Sequence, residues 1–174
     1  MPSEGVTPTE VGDLVAALIE RGLTIATAES LTGGLLAGAI VSVPGASAAF
    51  VGGVIPYHAQ LKHTLLGVDA ALLARSGPVN AEVAQQLAEG VRHACAVDGQ
   101  PADLGLATTG VAGPDPDPQT GQPPGTVFLG IATERGSRSV QLALTGDRQA
   151  VRAATVAAAV REALAEVAER GDLA

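Results

Sequence analysis

The stretch LTIATAESLTGG, residues 23–34, decides the fold class of this chain. Its first half, LTIATA, is a short β-prone run that predicts a strand. The run breaks at Glu29-Ser30, and residues 31–42 then follow a helical period. The apolar side of that helix consists of Leu31, Leu35, Leu36, Ala39 and Ile40. A strand that turns directly into a helix is typical of α/β proteins, whose successive strands pair in parallel.

Capping and turn signals place the other elements around this unit. Thr7, Pro8 and Glu10 form the start of a first helix with a capping box. The remaining predicted elements are strands at 50–57, 102–110, 125–134 and 137–145, and helices at 58–67, from Asn80 onwards and at 147–169. Arg135-Gly136 predicts a hairpin between the last two strands. We therefore predict one domain over residues 1–174, a three-layer α/β/α sandwich around a mixed, mainly parallel sheet.

Composition limits the class of protein. The chain has 174 residues, 47% of them hydrophobic, which is enough to bury a core and excludes disorder. No apolar run approaches the ~18 residues of a membrane span, and the first ten residues lack the pattern of a signal peptide. Cys95 is the only cysteine, so an internal disulfide framework is excluded. These features predict a cytoplasmic protein without a membrane partner.

The formal net charge of −8 argues against nucleic-acid binding, which draws most of its affinity from Lys and Arg contacts to phosphates. The only aromatic side chains are Phe50, Tyr57 and Phe128, too few for a platform that stacks single-stranded bases. A small phosphorylated ligand needs only one or two arginines and some backbone amides. We therefore expect a small-molecule partner and no nucleic acid.

Ser30 is the first candidate for chemistry. It lies where a strand becomes a helix, so its hydroxyl can stand at the carboxyl end of the sheet beside the amides of Leu31, Thr32 and Gly33. Such amides can bind an anion or a developing oxyanion, and Gly33 and Gly34 allow a ligand to come close. The alternative is that Ser30 only caps the helix, which is the commonest use of serine at this position.

Lys62 is the second candidate, five residues after Tyr57. It is the only lysine in the chain, whereas the other nine basic residues are arginines. Burial can lower the pKa of a lysine enough to leave a neutral amine, and a serine hydroxyl needs such a base to become a nucleophile. The alternatives are a solvated lysine on a helix face and an ordinary aromatic residue at a strand end.

Two further segments favour anion binding. TTGVAGP, residues 108–114, follows a strand, and Gly110 and Gly113 permit backbone angles that expose amides toward a phosphate or carboxylate. In TGDRQAVR, residues 145–152, Arg148 stands in the first turn of the last helix, where the helix dipole disfavours a cation. An anionic ligand would explain it, as would a neighbouring carboxylate, and the glycine loop can equally be a structural turn.

A metal site is not expected. His58 and His63 are five residues apart, which differs from the i, i+4 spacing of a helical metal pair. The sequence offers no cysteine cluster and no acidic ligand at a suitable spacing. We therefore expect any chemistry to proceed without a metal, and His63 stays open as another base that could activate a serine.

Six segments in order resemble the C-terminal domain of the CinA (competence/damage-inducible) family, also known as nicotinamide-nucleotide amidohydrolase. They are TAESLTGG, the segment from Tyr57 through Lys62 to LLGV, GPVNAEVA, ATTGVAGP, PPGTVFLGIA and TGDRQAVR. The resemblance spans about residues 10–168. It departs from the family pattern at Leu31, where cysteine is frequent, at Asn80, where serine is frequent, and in the longer loop at 115–125.

The resemblance implies a three-layer α/β/α fold and the conversion of nicotinamide mononucleotide and water to nicotinate mononucleotide and ammonia. It implies a serine–lysine pair, here Ser30 and Lys62, supported by Tyr57. Thr109 and Arg148 are expected to hold the substrate, no cofactor is implied, and a homodimer is expected. Two other functions stay open: a serine–lysine amidase or peptidase for another small amide, and a nucleotide-binding regulatory module without turnover.

Overall fold

The computed structural model describes residues 5–171, so residues 1–4 and 172–174 of the predicted domain lie outside the described residues. Five strands are present: β1 (Ile25–Glu29), β2 (Phe50–Val54), β3 (Leu104–Gly110), β4 (Thr126–Thr133) and β5 (Gly136–Ala143). Six α-helices accompany them: α1 (Pro8–Glu20), α2 (Leu35–Val41), α3 (Ala59–Leu66), α4 (Ala70–Ser76), α5 (Ala81–Ala94) and α6 (Arg148–Gly171). A short 3₁₀ turn at Ala46–Ala48 precedes β2.

The strands form one mixed sheet in the order β2-β1-β3-β4-β5. β1 pairs in parallel with both β2 and β3, whereas the β3–β4 and β4–β5 pairs are antiparallel. Only β4 therefore runs against the other four strands, which confirms the predicted mixed, mainly parallel sheet. The carboxyl ends of β1 and β3 lie side by side, with Glu29 in register with Thr108, so the segments that follow these strands meet at one edge.

Helices cover both faces of the sheet and form two apolar layers. On one face, α1, α2 and α6 bury residues such as Leu14, Ile40 and Val160 against β1, β3 and β4. On the other face, α4 and α5 bury residues such as Leu72 and Leu87 against the small side chains of the same strands. β1 is buried along its whole length, as expected for a strand covered on both sides. The predicted three-layer sandwich is thus confirmed.

Two glycines let α5 approach the sheet at backbone distance. A Cβ added at Gly105 would lie 2.0 Å from the carbonyl oxygen of Ala88, and one added at Gly130 would lie 1.9 Å from that of Ala84. Both distances are far inside van der Waals contact. The close packing of α5 against β3 and β4 therefore requires glycine at both positions.

Two predicted boundaries differ from the structure by three or more residues, and one helix was not predicted. The second helix was expected from residue 31 but begins at Leu35, because residues 31–34 form a separate turn. The second strand was expected to reach Tyr57 but ends at Val54. Helix α4 was not predicted, since its seven residues are too few to show a helical period. No helix within residues 5–171 combines the length and the apolar character needed to cross a membrane.

Candidate active site

Ser30 and Lys62 are in direct contact. The Lys62 amine donates a hydrogen bond of 2.9 Å to the Ser30 hydroxyl and a second one of 2.7 Å to the carbonyl oxygen of Pro56. Lys62 is only 1% exposed, so it is almost entirely removed from bulk solvent. A lysine buried this deeply is not the solvated helix-face residue that the sequence left as an alternative.

Burial changes the acid–base chemistry of Lys62. Removal from water penalises the charged ammonium and lowers the pKa of Lys62 from its ordinary value of 10.5 to about 8. A substantial fraction of the amine is therefore neutral near physiological pH. A neutral amine within hydrogen-bonding distance of a hydroxyl can accept the proton of that hydroxyl.

Helix α3 positions the lysine. The His58 side chain caps this helix, where its Nδ1 accepts a hydrogen bond of 3.2 Å from the amide of Gln60. Lys62 and Leu66 are four residues apart and form the buried side of α3. Lys62 therefore lies on the side of α3 that packs against the protein, and this packing places its amine at the end of β1.

The turn that carries Ser30 is fastened to β3. The amide of Ser30 donates a hydrogen bond of 3.0 Å to the carbonyl oxygen of Thr108. The hydroxyl groups of Thr32 and Thr108 are 2.8 Å apart and share a buried hydrogen bond. Residues 30–33, named here the nucleophile turn, are therefore held to the neighbouring parallel strand by backbone and side chain.

Glu29 fixes the other side of this turn. Its carboxyl group is buried and accepts hydrogen bonds from the amides of Gly34 (2.9 Å), Leu36 (3.0 Å) and Ala37 (2.7 Å). These amides begin α2, which has no side-chain cap from its N-cap residue, Gly34. An acidic side chain from the end of β1 thus satisfies the orphan donors of the next helix.

The substitution Glu29→Gln is expected to destabilise the fold by about 2–3 kcal/mol, because the NH₂ group that replaces one carboxylate oxygen is a donor and leaves at least one of the three backbone amides without an acceptor. A melting temperature lower by roughly 4–10 °C should result. Thermal unfolding of the purified variant and of the wild type measures this difference in melting temperature. Glu82→Gln is the matched control, since Glu82 also lies in the first turn of a helix but is exposed. Equal melting temperatures for the two variants would contradict the role given to Glu29.

A cavity of about 240 Å³ opens beside the pair. Ser30 and Leu31, which follow β1, line it together with Tyr57, which precedes α3, and Lys62, which lies within α3. The other walls come from Pro78-Val79, from 109–113, from 115–118 and from Arg148. The predicted residues Thr109, Gly110 and Gly113 are therefore in one site with Ser30 and Lys62. The volume lies slightly below the roughly 300–1,000 Å³ of typical small-molecule pockets.

Arg148 closes one side of the cavity. Its guanidinium donates hydrogen bonds of 2.9 Å to the carbonyl oxygen of Gly113 and 3.0 Å to the hydroxyl of Tyr57. Neither partner is an anion, and no carboxylate in the described part of the chain, residues 5–171, forms a salt bridge with Arg148, so the alternative of a neighbouring carboxylate is not supported. The guanidinium has five N–H groups, and two of them are used here. The others can bind an anionic ligand.

Tyr57 and Thr109 occupy different places from the serine–lysine pair. Tyr57 is 60% exposed and its hydroxyl contacts Arg148, which makes it a partner of the arginine. The hydroxyl of Thr109 donates a hydrogen bond of 2.7 Å to the carbonyl oxygen of Pro78, which ties the end of β3 to the loop before α5. Both residues nevertheless line the cavity.

Thr32, Gly33 and Gly34 are not among the residues that line the cavity. The Thr32 side chain is fully buried against Thr108, and the amide of Gly34 is donated to Glu29. The amide of Leu31 has a different status. No acceptor within residues 5–171 takes a hydrogen bond from it, and Leu31 does line the cavity. Leu31, which directly follows Ser30, therefore lines the cavity and has an amide that is not used within the described part of the chain.

The sequence analysis missed Glu29 and left Arg152 without a defined role. Arg152 donates hydrogen bonds of 2.9 Å and 3.0 Å to the carbonyl oxygens of Leu31 and Thr32. A signal for Glu29 existed, because an acidic residue just before a helix start can complement its dipole. No local pattern could have paired Arg152 with residues 120 positions earlier in the chain.

Fold and cavity define an α/β/α domain that carries a buried serine–lysine pair. The family model of the CinA C-terminal domain matches residues 9–167. Because this match covers most of the chain, the protein belongs to the CinA C-terminal domain family. The resemblance inferred from six short segments is thus confirmed.

Individual relatives agree with this assignment. A CinA-like protein of Frankia casuarinae is 45% identical over 149 residues, which are 86% of this chain and 33% of that protein. One of Geobacter sulfurreducens is 44% identical over 141 residues, 81% of this chain and 33% of that protein. The chain thus spans about a third of the length of the curated relatives it matches. A crystal structure of a CinA superfamily protein from Klebsiella pneumoniae superposes with a TM-score of 0.87 at 30% identity, covering 93% of this chain and 98% of that one.

Proposed function

We propose that this protein hydrolyses the carboxamide of nicotinamide mononucleotide to nicotinate mononucleotide and ammonia. One observation carries the proposal: the amine of a fully buried lysine lies 2.9 Å from a serine hydroxyl on the wall of a small cavity. A hydroxyl and a base at this distance are the two parts of an activated nucleophile. The resemblance to nicotinamide-nucleotide amidohydrolases supplies the substrate.

In the proposed mechanism, neutral Lys62 accepts the proton of Ser30 while Oγ attacks the carboxamide carbon. The carbonyl oxygen becomes an oxyanion, for which the unpaired amide of Leu31 is the nearest donor. Removing one such donor typically costs roughly 3–4 kcal/mol of transition-state stabilisation. The ammonium form of Lys62 returns its proton to the departing nitrogen, and ammonia leaves. Water then hydrolyses the acyl-enzyme, with Lys62 again as the base.

The charges around the cavity support a substrate that carries both signs. Arg148 lies on its wall with N–H groups to spare, and Asp115 lies on the same wall. Nicotinamide mononucleotide has an anionic phosphate and a cationic pyridinium ring. We assign the phosphate to Arg148 and the loop at 109–113, where Gly113 has the positive φ of 86° that glycine tolerates.

A coupled assay for ammonia tests the proposal. The purified protein is incubated with nicotinamide mononucleotide, and ammonia and nicotinate mononucleotide are quantified together. Stoichiometric release of both products is expected. Ammonia from other small amides alone would indicate a different amidase, so a panel of amides is assayed in parallel. Saturable binding of the nucleotide without any ammonia would favour a regulatory module and contradict the enzyme.

Arg148→Ala is expected to raise KM for nicotinamide mononucleotide by about 30-fold, because a hydrogen bond to a charged group contributes about 2 kcal/mol. kcat should change little if Arg148 binds the phosphate equally well in the ground state and in the transition state. Nicotinamide riboside, which lacks the phosphate, provides the control, and its KM should be the same for both proteins. An equal rise in KM for the riboside would show that Arg148 does not read the phosphate.

Two further expectations belong to the same proposal. Location in the cytoplasm rests on the composition of the sequence and on its single cysteine. Assembly as a homodimer rests on the resemblance to the family. Sedimentation of the purified protein measures its oligomeric state directly. A monomer at micromolar concentration would contradict the expected homodimer.

A further inference from the structure

Arg152 spans two consecutive carbonyl groups of the nucleophile turn. Its Nε donates to the carbonyl oxygen of Leu31 at 2.9 Å, and its Nη2 donates to that of Thr32 at 3.0 Å. These are the first two residues after Ser30. One guanidinium therefore holds the peptide units 31–32 and 32–33 at the same time, in the fork geometry that distinguishes arginine from lysine.

Fixing these carbonyls also fixes the amides. A trans peptide unit is planar, so its N–H points opposite to its C=O. The amide of Thr32 must then point away from Arg152, and no acceptor among the described residues takes a hydrogen bond from it. The positive charge on the carbonyl side also polarises each peptide and makes its N–H a stronger donor.

The rest of the turn is already restrained by other groups. Thr108 holds the amide of Ser30, and Glu29 holds the amides from Gly34 onwards. Residues 31–33 lie between these two restraints. The Thr32 hydroxyl is held by Thr108, and Arg152 is the side chain that bonds the carbonyls of Leu31 and Thr32. Within residues 5–171 its side chain makes hydrogen bonds to these two carbonyls alone, and it is not among the cavity-lining residues. Direct contact with substrate is therefore not its role.

We propose that Arg152 is a positioning residue, which keeps the nucleophile turn in the conformation that presents Ser30 to Lys62 and holds Leu31, the cavity-lining residue next to Ser30, through its carbonyl group. The proposal rests on the proposed serine mechanism. Helix α6 would then serve the site twice, with Arg148 at the cavity wall and Arg152 one turn later beneath the turn. Without the fork, the two peptide planes can rotate, and the Ser30 hydroxyl loses its alignment with Lys62.

The test compares Arg152→Gln and Arg152→Lys with the wild type. A displaced nucleophile predicts a fall in kcat of about 100-fold for Arg152→Gln with KM within threefold of the wild type. Arg152→Lys should recover part of kcat, because one ammonium can reach the carbonyls but cannot form the fork. The pH at which activity rises should stay the same in all three proteins, since Lys62 is not altered. Arg161→Ala, on the same helix but paired with Glu10, is the matched control and should retain full activity.

A second readout separates this proposal from the choice of substrate. A fluorophosphonate probe reacts with an activated serine without recognising any substrate, and its rate of labelling Ser30 should fall with kcat in the same order of variants. Labelling that depends on Arg152, in a protein that releases no ammonia from nicotinamide mononucleotide, would overturn the substrate and keep the positioning role. A raised KM at unchanged kcat, labelling rates equal to the wild type, or no labelling of the wild type would overturn the role of Arg152.

Discussion

Ser30→Ala is expected to abolish ammonia release from nicotinamide mononucleotide, with kcat lowered by about 10⁴-fold or more, as when the nucleophile of a serine hydrolase is removed. The variant should fold normally, because Ser30 is only partly buried and the Lys62 amine keeps its hydrogen bond to Pro56. Initial rates of ammonia release and circular dichroism spectra of the purified variant check both statements.

Ser42→Ala provides the control for this substitution. Ser42 is an exposed serine after α2 whose hydroxyl bonds the carbonyl oxygen of Ala39. Its removal should leave the rate unchanged. Near-normal turnover by Ser30→Ala would exclude the covalent route, and water activated directly by Lys62 would then have to attack the amide.

Lys62→Met is expected to remove activity and to alter the pH dependence of stability. The pKa of Lys62 is lowered to about 8 in the folded protein, from 10.5 in the unfolded chain. Below pH 8 the wild type must fold around a charged ammonium that burial disfavours, and this costs about 3 kcal/mol. The penalty declines as the pH rises from 8 and is gone above 10.5. Methionine fills a similar volume without a charge.

Denaturant titration measures the difference in free energy of unfolding between Lys62→Met and the wild type. As the pH is lowered from 10.5 to 7, this difference should rise by about 3 kcal/mol in favour of the variant. The variant also loses some stability that does not depend on pH, because the carbonyl of Pro56 loses its donor. Lys62→Arg, which stays charged, should be inactive and less stable than the wild type. A stability difference that does not vary with pH would mean that Lys62 folds with an ordinary pKa.

Local sequence signals were sufficient for most of the fold. The capping box of Thr7 and Glu10 is present as predicted, because its atoms lie within three residues of one another. Strand β1, which ends just before Ser30, could be predicted from its β-prone composition and from the break in the pattern that follows it. The nucleophile turn could not be predicted from local sequence. The position where α2 begins depends on the buried carboxyl group of Glu29 and on Thr108 of another strand.

The sequence predicted several residues that the structure brings together in one cavity, but it did not predict all of the contacts that hold them there. Ser30, Lys62 and Arg148 were identified from residue type and from the resemblance, and all three line one cavity. Tyr57 was expected beside the serine–lysine pair but contacts Arg148, 91 positions later in the chain. Contacts of this range follow from the packing of α6 across the sheet, which no local pattern encodes.

A single titration tests the central claim, that a neutral amine is available beside Ser30. Lys62 is the only lysine in the chain, so labelling with ¹³C,¹⁵N-lysine gives one side-chain signal that nuclear magnetic resonance can follow with pH. The account predicts a midpoint for the Lys62 amine at a pKa of about 8. A midpoint near the ordinary value of 10.5 would show that Lys62 is charged under physiological conditions and cannot act as the base.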